Sequence, residues 1–270
     1  IHFYKVISLT ILTSLGLLKM HISIFKNHFK LASTIKISML LFRHYRCMDV
    51  QMLNSYLEHA QLNIEQQLIH AELEKLEQYL NNNAAPAVRW EYQIPELGEG
   101  GACSLFGYLQ DEPFKLSDYV SQSTQTTEKL AQLQLIVDYV IENTQLDWYG
   151  IYQNTHTNEG EQLLKLAYFG APSRPLFPLT AEFATASNNV QVAFSGKGRV
   201  INNVEQYLAA GGEYYTCDPK VKAEACLPLF NAQQQCIGIV DGEAFNTDFF
   251  DKATLALLIA CCIKIPHFLV

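Results

Sequence analysis

The chain is 270 residues long, 49% hydrophobic and 17% charged, with 27 acidic side chains against 19 basic ones. Seven of the bases (Lys5, Lys19, Lys26, Lys30, Lys36, Arg43 and Arg46) are the only charges before Met48, which leaves 12 bases against all 27 acids and a body near −15 inside a chain of net charge −8. An acidic body repels phosphate backbones and no local basic patch offsets it, so nucleic acid is not the expected partner.

Residues 1–47 form a basic, apolar leader. Its uncharged run 6–18 has the length of a signal-peptide core and falls short of the roughly 20 residues that span a bilayer. No small-x-small cleavage site follows, and Lys19 and His21 interrupt any extension. The composition changes abruptly at Met48, and the sequence reads as a body translated from that residue. A signal anchor, which would put the body outside the cytoplasm, is the competing reading. Seven cysteines, odd in number and irregular in spacing, suit a reduced compartment better than a disulfide framework, so the expected location is cytoplasmic.

Residues 48–82 form a helical segment. Leu53, Leu57, Ala60 and Ile64 follow one another at helical steps, and Ile69, Leu73, Leu76 and Leu80 repeat the spacing with an offset, which fits one helix with a phase break or two short ones. Asn81, Asn82, Asn83 and Pro86 end it. Such a helix either packs on its own chain or pairs with a second copy as a homodimer. Residues 83–124 read as a linker or hairpin flap. Val88, Trp90, Tyr92 and Ile94 alternate with polar residues, glycines follow, and a second apolar run passes Cys103, Leu105 and Leu109. This flap either covers a pocket in the next domain or stands alone.

Residues 125–266 have the clearest rhythm. Leu130, Leu133, Val137, Val140 and Ile141 give one helical face, and strands are expected at 146–153 and 162–169. A helix over 181–194 leads past Gly196 and Gly198 to a strand at 199–204. Two buried strands, 223–230 and 236–244, precede an almost wholly apolar helix, 249–265, that Pro266 ends. Strands joined by hairpins and bracketed by helices make an α+β fold, an antiparallel sheet with helices packed on one face.

Three parts of this domain carry reactive groups. Alternation along the last strand places Ile237, Ile239, Asp241 and Glu243 on one face. Burying two carboxylates is costly, so either they border a pocket or the strand has emerged into water at Asp241. Glu224 and Cys226 share a face of the preceding strand, and if the two strands are neighbours Glu224 becomes a third acid of the same wall. Cys217 lies in a loop with Lys220 and Lys222 close in sequence, a better setting for a reactive thiolate than the apolar helix that holds Cys261 and Cys262. Asp218 beside it acts the other way, raising the thiol pKa. The histidines show no ligand spacing and none is near Cys217, so no metal is expected.

Trp148-Tyr149-Gly150-Ile151-Tyr152, Cys217-Asp218, Glu224, Leu227-Pro228-Leu229 and Gly238-Ile239-Val240-Asp241-Gly242-Glu243 together resemble the GAF-domain enzymes known as free methionine-R-sulfoxide reductases. The likeness covers roughly residues 125–265. It implies a GAF-like antiparallel sheet with flanking helices, preceded by the N-terminal helical segment. It also implies Cys217 as nucleophile, Glu224, Asp241 and Glu243 as the acids that bind and polarise the substrate, and Trp148, Tyr152 and Asp218 as further substrate-binding residues. Glu243 stands where the family has Asp. No bound cofactor is implied, only an external thiol reductant such as thioredoxin. Arg174 and Ala184 occupy the positions of the family's two upstream resolving cysteines, which leaves Cys226, Cys103 or an external thiol for that step. Without such a step the same residues describe a non-catalytic GAF sensor that binds a small amphipathic ligand and signals through the helix at 49–78.

Overall fold

Two helices, not one, open the described part of the chain. The computed structural model describes residues 51–97, 104–185, 187–214 and 218–270, so the leader, Cys103 and Cys217 lie outside the described residues. The chain divides into two units, Ile1–Met52 and Leu53–Val270. In the second, helix α1 runs to residue 60 and stops because Gln61 takes a left-handed conformation (φ 54°). Helix α2 (Gln66–Asn82) starts after a non-helical stretch at 61–65, which is the physical basis of the offset between the two apolar stripes. Leu53, Ala60, Ile69 and Leu76 are fully buried. The buried stripe of α2 is therefore spent within its own chain: Glu77 pairs with Lys264 and the Tyr79 ring meets Tyr139 at 5.0 Å.

A small covering layer follows. Strand β1 (Glu91–Tyr92) pairs with β4 (Phe114–Lys115), and β2 (Pro95–Leu97) pairs with β3 (Ser104–Leu109), all antiparallel. The hairpin is thus present, with its first strand beginning later than the alternation from Val88 suggested.

Helix α3 (Thr124–Thr144) is capped by Ser123, which accepts a hydrogen bond from the Thr126 amide, and closes at Gln145 in the left-handed region. The main sheet has six strands in the order β7-β6-β5-β10-β9-β8, every neighbouring pair antiparallel. Its strands are β5 (Trp148–Thr157), β6 (Gly160–Phe169), β7 (Leu176–Pro178), β8 (Arg199–Ile201), β9 (Ala223–Phe230) and β10 (Cys236–Ala244). Helix α6 (Lys252–Lys264) lies between this sheet and α2, which explains why it is apolar all round.

Three expectations need correction. Helices cover both faces: Tyr149 points toward Cys261 and Cys262 of α6, whereas α4 (Asn188–Ser195) lies on the opposite face, hydrogen-bonded to Glu224 and Asp241. The helix expected over 181–194 begins only at Asn188, where Ser187 caps it, after a short turn of 3-10 helix at Phe183–Thr185. The strand expected over 199–204 ends at Ile201, because Asn203 caps a further helix, α5 (Val204–Ala209), that apolar patterning had not suggested.

Candidate functional site

Register brings the acids together. Glu243 stands directly opposite Glu224 on one side and opposite Trp148 on the other, while Asp241 stands opposite Cys226 and Gly150, and Tyr152 opposite Ile239. Residues directly opposite across antiparallel strands share a face, so the three carboxylates and the two aromatic rings face α4 together. Glu224 and Asp241 are each only 4% exposed, which removes the alternative that the strand has emerged into water. Trp148, Tyr152, Asp218, Glu224, Asp241 and Glu243 all line one cavity of about 310 Å³. Pro95, Gly107 and Leu109 of the hairpin line it as well, so the flap is a wall of the pocket.

Helix α4 supplies the polar partners. Asn188 Nδ2 donates to Glu224 Oε1 at 2.6 Å and Asn189 Nδ2 to Asp241 Oδ2 at 3.0 Å. Tyr214 adds a phenol hydrogen bond to Glu224. Burial, followed by the charges of Glu224 and Glu243, pushes the Asp241 carboxyl well up. Burial and then Glu224 and Asp218 push Glu243 up to about 8, with Lys165 opposing. Burial also raises Glu224, against the hydrogen bonds from Tyr214 and Asn188 and the charge of Arg199. At neutral pH the cluster thus holds protons, and one cavity wall offers both carboxylic acid donors and carboxylate acceptors.

The counter-charge lies behind Trp148. Lys165 is fully buried and donates from Nζ to Ser173 O at 2.8 Å and Ser173 Oγ at 2.6 Å. Its ammonium stands 4.1 Å from the Tyr168 ring centroid, 5.1 Å from Tyr92 and 5.8 Å from Trp148. Burial draws its pKa well down, the Arg89 charge adds to this, and Glu243 opposes.

The aromatic wall depends on close backbone approach. The Trp148 indole donates from Nε1 to Ala171 O at 3.0 Å and lies across Gly150. Tyr152 donates to Arg174 O at 3.3 Å and meets the Phe177 ring edge-on at 5.5 Å. Arg174 also lines the cavity, its guanidinium 4.8 Å from the Phe183 ring and its Nε donating to Leu176 O at 2.5 Å.

The thiols divide. Cys217 and Cys103 lie outside the described residues. Cys226 is fully buried and is not a lining residue, and burial followed by the charges of Asp241 and Glu224 drives its thiol well up. A shielded, protonated thiol is a poor resolving partner. Cys261 and Cys262 are buried core thiols of α6.

Asn188, Asn189, Tyr214 and Lys165 had not been singled out in the sequence. Lys165 leaves one visible signal there, as the lone charge in the apolar run from Leu163 to Ala167. The two asparagines leave another, following the capping Ser187 at the head of a helix.

Comparison with known proteins gives one family match: the GAF domain family model matches residues 128–265, a little over half of the chain. No curated protein matches the sequence. Among solved structures, the type II free methionine-R-sulfoxide reductase of Thermoplasma acidophilum is similar at 18% identity, over 54% of this chain and 94% of that one, with a TM-score of 0.46. The GAF domain of an Acinetobacter phosphoenolpyruvate-protein phosphotransferase is similar at 11% identity over 74% and 91%, also at 0.46. The free methionine-R-sulfoxide reductase of Neisseria meningitidis, solved with its substrate, is similar at 18% identity over 54% and 90%, at 0.42. Likenesses at this level carry no argument about chemistry.

Proposed function

The chain belongs to the GAF domain family, and from that premise we propose that it is a thiol-dependent reductase of free L-methionine-R-sulfoxide. The observation that carries the reading is the convergence of Glu224, Asp241, Glu243, Asp218, Trp148 and Tyr152 on one cavity of about 310 Å³. That volume suits an amino acid of this size, and the wall pairs protonated carboxyls with aromatic faces. A sulfoxide becomes attackable at sulfur when its oxygen is protonated or strongly hydrogen-bonded, the work of a carboxyl whose pKa has been raised toward neutrality, as for Glu243. The aromatic faces of Trp148 and Tyr152 suit the methyl-sulfur end.

In this mechanism Cys217, the sequence neighbour of Asp218, attacks the substrate sulfur as thiolate. The carboxyl proton goes to the sulfoxide oxygen, which transfers to the cysteine sulfur, releasing methionine and leaving a sulfenic acid. A second thiol condenses with the sulfenic acid to give a disulfide and water, and a dithiol such as thioredoxin returns both sulfurs to the reduced form. Because Cys226 is buried, the second thiol is external or Cys103. The setting is the cytoplasm, where such reductants are kept.

Arg174 and Ala184 at the resolving positions favour a second reading, a non-catalytic sensor for a small amphipathic ligand. One assay separates the two. Full-length protein is incubated with R-methionine sulfoxide and dithiothreitol, with Cys217→Ser as control, and methionine is measured. Turnover lost in the variant supports the reductase. Equal inertness of both proteins removes it and leaves the sensor.

A further inference from the structure

We propose that Lys165 is a positioning residue: its buried side chain pins the segment 171–174 as a wall of the cavity, and the fold would be at least as stable without it. The inference deepens the proposed function and rests on the same cavity being the ligand site.

The segment needs such a pin. Ala171, Pro172, Ser173 and Arg174 all line the cavity, yet Ala171 and Pro172 are exposed, Ser173 is half-buried, and none of the four belongs to a helix or strand. What holds it is a row of carbonyls that accept from the sheet. Trp148 Nε1 donates to Ala171 O at 3.0 Å, Tyr152 Oη to Arg174 O at 3.3 Å and the Lys165 amide to Pro175 O at 2.8 Å. Lys165 Nζ fills the middle of the row, donating to Ser173 O at 2.8 Å and to Ser173 Oγ at 2.6 Å. Pro172 and Pro175 have no amide hydrogen, so the segment has few donors of its own. Register accounts for the reach: Lys165 stands opposite Tyr152, so its side chain leaves the sheet on the face of the aromatic wall.

The fold alone does not account for a lysine here. Lys165 is 0% exposed and forms no ion pair among the described residues, and beyond Ser173 its amine meets the rings of Tyr168, Tyr92 and Trp148. Burying such a group is expensive, and an apolar side chain of similar volume in the place of a buried charge is often neutral or stabilising. Methionine is close to lysine in length and volume. What it lacks is a donor that bonds two oxygens of one residue at once. Burial draws the amine's pKa well down, yet even the neutral amine keeps two N–H donors, one for each Ser173 oxygen. A residue kept for the fold should destabilise the chain when lost. A residue kept for the wall should loosen the cavity and leave the fold as stable as before.

The test reads Trp148, which is the one tryptophan left in a Trp90→Phe background and shares the cavity wall with the segment. In that full-length, ligand-free protein, Lys165→Met should raise acrylamide quenching of the indole at least about 2-fold, because a wall freed from its pin opens locally. The urea midpoint should stay level or rise. Quenching that does not rise, a midpoint that falls, or failure of the variant to fold overturns the proposal. Ser173→Ala, which removes one acceptor and leaves the lysine in place, should raise quenching too, and a silent variant counts against the pin. Kinetics give a second readout. With L-methionine-R-sulfoxide and dithiothreitol, Lys165→Met should raise KM roughly 10-fold and change kcat less than about 3-fold, the mark of a group that shapes binding without touching the reacting atoms. An unchanged KM, or a larger fall in kcat, overturns the positioning role. If the unsubstituted chain turns over no sulfoxide, the reductase reading fails while quenching still decides the place of Lys165.

Discussion

Gly150→Ala tests how the pocket wall is built. A methyl group at that position would come within 2.2 Å of Trp148 Cη2 and 2.8 Å of Cζ3, far inside contact distance. The indole has no easy retreat. Gly170, at φ +108°, backs its other edge so closely that a Cβ there would stand 2.5 Å from Cδ1, Nε1 is tied to Ala171 O, and the rings of Tyr152 and Tyr168 lie 6.4 and 6.3 Å away. Overpacking of this kind costs about 1–3 kcal/mol. Turning the indole off Ala171 adds about 0.5–1.5 kcal/mol for the lost hydrogen bond. The expected loss is about 1.5–4.5 kcal/mol, read by urea denaturation of the full chain followed by circular dichroism. Trp148→Phe removes the clashing atoms, so the double variant should recover part of the loss, with a coupling energy of at least about 1 kcal/mol. A cost below about 0.5 kcal/mol for Gly150→Ala, or simple additivity of the pair, would refute the reasoning that only glycine lets the indole wall the cavity.

Glu243 ionises near pH 8 in the folded chain, against a usual 4.5, so its protonated form adds stability that is complete below about pH 4.5 and disappears as the pH rises through 8. Ligand-free protein should therefore melt lower at about pH 8.5 than at about pH 5.5, and Glu243→Gln should narrow the gap; an undiminished gap assigns the effect to other groups. Arg174→Ala gives up the stacking of the guanidinium on Phe183 and Phe177 and the bond to Leu176 O, at an expected cost of about 1–3 kcal/mol by denaturation. Lysine at that position keeps the charge but not the planar stacking and should recover less than half; full recovery would mean that charge alone matters.

Strand alternation made Asp241 and Glu243 legible as one face before any coordinates, and the spacing of apolar residues marked α3, β9, β10 and α6 in their right places. Glu224 followed from the face it shares with Cys226, while Trp148, Tyr152 and Asp218 were named only through the short motifs that carry the family resemblance. A period of two or of 3.6 residues is a property of the backbone and is written in any sequence that obeys it. Partners distant along the chain have no such signature. Asn188 reaches Glu224 across 36 residues and Asn189 reaches Asp241 across 52. That pairing depends on α4 packing against the second face of the sheet, a result of the whole core. The burial of Cys226, the counter-charge at Lys165 and the hairpin as a cavity wall belong to the same class. Local geometry decided which residues could face the pocket, and long-range packing decided which of them meet there and what protonation they hold.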